Sequence, residues 1–312
     1  MKRSVSFLLV IYMLIILCAC ESDVLVTKTL YCFDTTVEIT FKAPKGQAKT
    51  VEQEITRMLY LYNDLVDNFS AKDINNIYMI NHTDDFVEVS DELINLIKFA
   101  LKMQDETDGY FNPLLGNITN LYKELITSQN EEVLALLPQE LDNLQNSTLL
   151  IEGNSVKIVG NATIDLGGVA KGYALNEVVK YLTEQKIKYY LINCGYSSIA
   201  LGIKDNKAFR VGLKYDDKIL SLKNTTIGCC SIHEQKTLIG DKLYHHIINP
   251  KTGLNENHYT TIYLIGLDPA IIDAFATSMF NMSIDAIDEL ANKYQLKYLI
   301  YQNDEIAYNN YE

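Results

Sequence analysis

From Leu149 to the C-terminus, short runs rich in β-branched and aromatic residues follow one another, interrupted by only three helix-like segments. No other feature restricts the fold as much. The runs predict strands at Leu149–Ile151, Val156–Val159, Tyr189–Asn193, Arg210–Leu213, Leu243–Ile248 and Tyr259–Ile265, and a closing hairpin of Tyr298–Gln302 and Glu305–Tyr308. The helix-like segments run from about Val169 to Gln185, Pro269 to Met282 and Ile284 to Tyr294. In the first half, alternation predicts a hairpin of Leu25–Tyr31 and Thr35–Phe41. Helices follow at Val51–Val66, from Ser90-Asp91-Glu92 to about Asp105, within 109–122 after a loop, and at Glu131–Asn143. Helices and strands mix without a βαβ rhythm, so the fold class is α+β and not a doubly wound sheet.

The chain has 312 residues, 48% hydrophobic and 21% charged, enough for one large domain or two intimate subdomains. No Pro- or Ser-rich linker and no internal repeat divides it. Net charge is −13, which speaks against nucleic acid as a partner. Beyond Cys18 and Cys20 only Cys32, Cys194, Cys229 and Cys230 remain, too few and scattered for a disulfide framework. Adjacent Cys229 and Cys230 read as buried thiols of a strand, with a metal site or one bridge as the other readings.

The first residues have the layout of a leader. Lys2 and Arg3 precede an apolar run, Phe7 to Leu17, that is shorter than the roughly 20 residues needed to span a bilayer. Leu17-Cys18-Ala19-Cys20 resembles the end of a bacterial lipoprotein signal. Residues 1–19 are therefore expected to be a signal peptide, Cys20 the lipidated N-terminus, and 20–312 one domain anchored on the extracytoplasmic side of the membrane. An uncleaved N-terminal anchor is the other reading.

Three later segments carry the chemistry. Asp165-Leu166-Gly167-Gly168-Val169-Ala170-Lys171 leads through a Gly-Gly turn into a helix. Glycines admit a close ligand, and a helix start offers free N–H groups and a positive dipole end. With Lys171 in the first turn and Asp165 at the edge, this suits a phosphate-bearing ligand, although such a helix start also serves structure alone. In the helix after Asp268-Pro269, Asp273 and Thr277 stand four apart and project from one face. Carboxylate and hydroxyl are hard ligands suited to Mg²⁺; a solvated Asp and a Thr bonded to its own helix is the plainer reading of the pair in isolation. An exposed Asp there should be dispensable for the core. Tyr244-His245-His246-Ile247-Ile248-Asn249-Pro250-Lys251-Thr252-Gly253 reads as a strand ending in a turn, with His246 a candidate general base or a structural residue.

DLGGVAKGYA, HIINPKTG and DAFATSMF, in this order behind a lipoprotein-like leader, closely resemble the ApbE family of FAD:protein FMN transferases, over essentially the whole mature chain. The resemblance implies an α+β, T-fold-like arrangement of sheets packed with helices, with an FAD cleft between two lobes. It implies Mg²⁺-dependent transfer of FMN from FAD to a Thr or Ser hydroxyl of an extracytoplasmic acceptor protein, with release of AMP. By matching positions, Asp273, Thr277 and the Gly168 carbonyl would hold the metal. Asp165, Lys171, Ile247, Phe33 and the Tyr110-Phe111-Asn112 stretch would contact FAD. His246, with Asp273, would handle the hydroxyl proton.

The chain departs from the family pattern at several points. Asn249 and Lys251 replace the usual Asp and Arg. Asn193-Cys194-Gly195-Tyr196-Ser197 replaces N-x-G-G-[ND], and Cys229-Cys230-Ser231 replaces [ST]-S-G. Two other activities fit the same residues: an FAD-binding lipoprotein without transferase activity, and a Mg²⁺-dependent FAD pyrophosphatase giving FMN and AMP.

Overall fold

The computed structural model describes residues 22–311. Residues 1–21, with the predicted leader and Cys20, lie outside the described residues. Strands β1 (Asp23–Cys32) and β2 (Thr35–Pro44) form the first hairpin, and helix α1 (Lys45–Val66) follows directly. Next come α2 (Ile77–Asn81), β3 (Val87–Glu88), α3 (Asp91–Glu106) and α4 (Gly116–Ser128). Ser90 caps α3 by accepting the Leu93 N–H. The helix expected at Glu131–Asn143 is split into a 3-10 segment, Glu131–Leu136, and α5 (Leu137–Gln145), with Pro138 in the first turn of the latter.

The hairpin β4 (Thr148–Glu152) and β5 (Ser155–Val159) precedes α6 (Ala170–Glu184). Strands then dominate: β6 (Tyr190–Cys194), β7 (Ser198–Leu201), β8 (Phe209–Gly212), β9 (Ile219–Leu222), β10 (Thr225–Ser231), β11 (Lys236–Ile239), β12 (Lys242–His245) and β13 (Thr261–Gly266). Helices α7 (Pro269–Met279) and α8 (Ile284–Tyr294) lead to the final hairpin, β14 (Lys297–Gln302) and β15 (Glu305–Asn309).

Eight of these strands make one antiparallel sheet in the order β1-β2-β6-β7-β10-β13-β14-β15. This is the α+β arrangement expected. One face of the sheet carries the helices and the main core, including Phe41, Ile55, Leu175, Phe275 and Phe280. The other face is covered in part by the β8–β9 hairpin, which closes a second core around Ile199, Leu201, Val211, Leu220 and Tyr263. Strands β7 and β13 are consequently buried along their whole length. A strand buried on both faces shows no alternation; β13 is still marked by its β-branched and aromatic run, whereas β7 (SIAL) and β10 (TTIGCCS) have small residues in place of such a run and escaped the sequence pattern. The Leu243–Ile248 strand ends early, at His245, because the chain bends at His246 and runs into the turn at Pro250.

Helix α7 is the central helix of the main core. Asp268 caps it by accepting the Ala270 and Ile271 N–H groups, and nine of its eleven residues are buried, Asp273 among them. Asp273 is 7% exposed. The expectation of a solvent-facing Asp is thus corrected: α7 is packed between α6 and the sheet, so it has little solvent face.

Candidate functional site

Residue by residue, the turn before α6 takes the form its sequence suggests. The Asp165 Oδ1 accepts the Gly167 N–H at 2.7 Å, an Asx turn that directs the chain into the helix. No N-cap side chain closes α6; the Ala170 N–H donates to the Leu166 carbonyl and the Gly172 N–H to Asp273, which leaves the Lys171 backbone N–H of the first turn for a ligand. The Lys171 Nζ lies 3.5 Å from the Gly167 carbonyl, and Lys123, on α4, places its Nζ 3.7 Å from the Asp165 carboxylate.

Asp273 joins two elements to this turn. Its Oδ2 accepts the Gly172 N–H at 2.8 Å, and its Oδ1 accepts the Ser198 hydroxyl at 2.9 Å. Burial pushes its carboxyl pKa up; the positive charge of Lys171 and the two hydrogen bonds pull the other way. A Cβ on Gly168 would lie 3.4–3.5 Å from the Thr277 side chain and 3.4 Å from the Phe111 ring, so Gly168, Phe111 and Thr277 converge. The Thr277 hydroxyl donates to the Asp273 carbonyl at 3.3 Å, and the same oxygen keeps its lone pairs for an external partner. Among the described residues no three His, Cys, Asp or Glu side chains cluster as metal ligands. The site supplies one carboxylate beside a hydroxyl and a nearby glycine turn, a hard oxygen set that fits Mg²⁺ if ligand phosphates complete the shell.

A cavity of about 250 Å³ opens beside the turn, lined by Phe33, Asn63, Phe69, Lys123, Asp165 and Lys171 among others. Phe33 and Asp34 form the β1–β2 turn with φ of 54° and 55°, a conformation that side chains other than glycine adopt at a cost, and Asn63 holds the turn by accepting the Phe33 N–H at 2.7 Å. The structure thereby brings Phe33, Asp165 and Lys171 to one cleft. It adds Asp34, the neighbour of Phe33, and also Lys123 and Asn63, which sequence reasoning missed because they come from α4 and α1, far away in the chain. Phe69, from the loop after α1, lines it as well. Ser198 was missed as well; its place directly after the Asn193–Ser197 turn was the available signal.

The Tyr110-Phe111-Asn112 stretch sits against the 246–253 segment. The Lys251 Nζ lies 4.0 Å from the Tyr110 ring centroid and 2.7 Å from the Asp108 carboxylate. Asn112 caps its own turn by accepting the Leu114 N–H. Ile247 is buried in the main core. His246 is half-buried, with its Nδ1 3.2 Å from the Gln235 carbonyl. A carbonyl can only accept, so that nitrogen carries the proton and Nε2 bears the lone pair. Burial lowers the His246 pKa, and the nearby charges of Lys171 and Lys123 add to the effect.

His245 is fully buried, packed edge to face against Phe280, and its Nδ1 accepts the Ile247 N–H at 3.2 Å. Burial lowers its pKa to about 4. Because the folded state holds it neutral, its stabilising contribution is full above the unfolded value near 6.5 and is lost as pH falls toward 4. The loss should reach about 3 kcal/mol in that window. Urea melts at pH 7 and 4.5 test this: a His245→Leu variant should lose visibly less stability on acidification than the wild type. An equal loss in both would assign the acid sensitivity elsewhere.

The four described cysteines are free; Cys32, Cys194 and Cys230 are buried and Cys229 is partly exposed. Burial raises the Cys194 and Cys229 thiols to about 12 and also pushes the Cys230 thiol well above the ordinary thiol value, so all three stay protonated near neutral pH. Tyr196 sits at φ 65°, in the left-handed region where the family pattern has glycine. Its side chain does not line the cleft.

The ApbE family profile matches residues 33–300, most of the chain. This chain belongs to the ApbE family. Among its relatives, the FAD:protein FMN transferase of Chlamydia muridarum is 23% identical over 269 residues, covering 83% of this chain and 84% of that protein. The FAD:protein FMN transferase of Vibrio cholerae is 23% identical over 296 residues, covering 89% and 87%. In fold, an ApbE protein from Thermotoga maritima superposes with a TM-score of 0.74 at 22% identity, covering 89% of this chain and 94% of that one. The flavin transferase ApbE from Vibrio cholerae gives 0.73 at 20% identity, covering 93% and 98%. The ApbE fold is therefore the fold of this chain.

Proposed function

We propose that this ApbE family member transfers FMN from FAD to a Thr or Ser hydroxyl of a partner protein, with Mg²⁺ and with release of AMP. The observation that carries the reading is the convergence of Gly168, Lys171, Asp273 and Thr277 at the start of α6, beside the cleft that holds Phe33 and Asp165. A cavity of about 250 Å³ is smaller than a drug-sized ligand needs, so FAD would extend beyond it.

Each residue has a definite part. The Lys171 ammonium and the glycine turn face the pyrophosphate and offset its charge. The acceptor hydroxyl oxygen bonds to the FMN phosphorus, the bond from that phosphorus to the bridging oxygen breaks, and AMP departs with that oxygen. His246 Nε2 takes the hydroxyl proton. Asp273, Thr277 and the Gly168 carbonyl would hold Mg²⁺, which when bound polarises phosphorus and stabilises the leaving phosphate. Ser198 and Gly172 orient the Asp273 carboxylate.

Incubation with FAD, Mg²⁺ and an acceptor protein, read by intact mass, tests the reading. A mass gain of FMN on the acceptor supports it; free FMN and AMP indicate a pyrophosphatase, and unchanged FAD a binding protein. Lys171→Ala should weaken FAD binding by about 1.5–3 kcal/mol, the usual cost of removing a charged contact. Titration of flavin fluorescence measures this, and an unaltered affinity with unaltered turnover would place Lys171 outside the site.

We further propose that Cys20 is the lipidated terminus of a domain spanning 20–312 on the extracytoplasmic side of the membrane. Among the described residues no helix is long and apolar enough to cross a membrane. Cys20→Ala should release the protein from the membrane fraction; retention with an uncleaved leader would favour the N-terminal anchor instead.

A further inference from the structure

Charge is spread unevenly along this acidic chain. Residues 186–223 carry eight lysines and arginines against three aspartates, although the whole chain has a net charge of −13. This segment builds part of the sheet face opposite the helices. A groove of about 570 Å³ lies there, lined by Thr40, Tyr189, Lys204, Lys207, Phe209 and Arg210. The Tyr189 and Phe209 rings meet edge to face at 5.3 Å, and the Lys42 Nζ stands 4.6 Å above the Tyr189 ring. Lys42 pairs with Asp205 at 2.6 Å, in the tight turn between Lys204 and Lys207. That pairing neutralises the turn's carboxylate and leaves Lys204, Lys207 and Arg210 exposed.

The register of β1 locates the groove. Leu25 is opposite Lys42, and Thr40 is opposite Leu191. Cross-strand partners share a face, so Leu25, 57% exposed, lies on the groove's side. Cys20 is only five residues before Leu25, a reach of about 17 Å at most. The other end of β1, ten residues long and so about 30 Å away, is the Phe33-Asp34 turn that lines the cleft. The basic groove and the flavin cleft therefore occupy opposite ends of the first hairpin.

We propose that this basic groove is the membrane-facing surface of the protein and seats the phosphate head groups of anionic phospholipids. The proposal rests on the reading of Cys20 as the lipidated terminus. An anchor at one point leaves a domain free to tumble, whereas basic side chains beside the anchor fix its orientation on an anionic leaflet. Tyr189 supplies an amphipathic ring of the kind that settles at head-group level. Seated this way, the protein holds its cleft about 30 Å from the bilayer surface, open to an acceptor protein.

The test uses the intact lipidated chain on vesicles of phosphatidylcholine, with or without phosphatidylglycerol, with lysine acetylation read by mass spectrometry. Lys204, Lys207 and the exposed Lys188, whose carbonyl accepts the Ile203 N–H beside the Lys204 turn, should react about fivefold more slowly on the anionic vesicles, while Lys98 and Lys180 on the helix side keep their rates. A Lys204→Ala/Lys207→Ala/Arg210→Ala variant should lose the protection of Lys188 yet transfer FMN to a soluble acceptor as the wild type does. Flotation on phosphatidylcholine alone reads the lipid anchor separately. A chain that floats on both vesicles with equal lysine reactivity overturns the proposal and spares the anchor. A chain that fails to float on phosphatidylcholine, but is protected on the anionic vesicles, discards the anchor and keeps the basic surface. Equal protection by glycerol phosphate without vesicles, or by an acidic acceptor protein alone, assigns the groove to that ligand and overturns the proposal.

Discussion

Asp273→Asn should lower covalent flavin incorporation about a hundredfold or more while leaving the protein folded. Lewis-acid stabilisation of a transferring phosphoryl group contributes several kcal/mol, and about 1.4 kcal/mol is a factor of ten in rate. The fold should survive because the amide reproduces both contacts: its oxygen can accept the Gly172 N–H, and its NH₂ can donate to the Ser198 hydroxyl. Asp273→Ala is a different variant. It leaves the Gly172 N–H and the Ser198 hydroxyl unpaired inside the protein, at about 1–3 kcal/mol each. Only the Asn form separates loss of the metal ligand from loss of the core. Chelation with EDTA should inactivate the wild type as the Asn substitution does. The metal assignment fails if EDTA changes nothing, or if Asp273→Asn transfers FMN at the wild-type rate.

Gly172→Ala should destabilise the protein by about 3 kcal/mol and cost most of its transfer activity. A Cβ at Gly172 would stand 2.3 Å from the Pro269 carbonyl oxygen and 2.4 Å from the Asp273 Cβ. The first of these atoms is backbone at the start of α7, so the clash is relieved only by moving one helix from the other. Such a movement lengthens the Gly172–Asp273 hydrogen bond and carries Asp273 and Thr277 together away from the Gly168 turn. At roughly 2 °C per kcal/mol for a chain of this size, the melting temperature should fall about 6 °C. Gly212→Ala is the control, since nothing lies within 4 Å of the atom it adds. Thermal melts of the two variants settle the matter: equal melting temperatures would mean that the α6–α7 contact tolerates an opening the close packing argues against.

Much of the fold was legible because local patterns met little opposition. The β1–β2 hairpin alternates since one of its faces is more exposed, and α3 begins after its Ser90 cap, as the Ser90-Asp91-Glu92 start suggests. Strands β7 and β10 were not legible, since burial on both faces erases the period-2 signal and their small residues give no β-branched or aromatic run such as the one that marks β13. The same burial explains the misjudged Asp273. Seen as a polar residue on a helix it belongs to solvent; only the packing of α6 and the sheet against α7 shows that it does not.

What the sequence determined by itself was the chemistry available. The Gly-Gly turn with Asp165 and Lys171, the Asp273–Thr277 spacing and the His246 strand end are local, and hydrogen-bonding capacity and charge travel with the residue. Tertiary structure alone decided which of these groups meet. Gly172 and Asp273 are 101 residues apart, Ser198 and Asp273 75, and the cleft collects residues from the β1–β2 turn, α1, α4 and α6. It also decided that a basic, aromatic groove lies at the Cys20 end of the first hairpin and the cleft at the other. Contacts across such separations depend on how the sheet and its helices close over a shared core, and that closure is a property of the whole chain rather than of any segment.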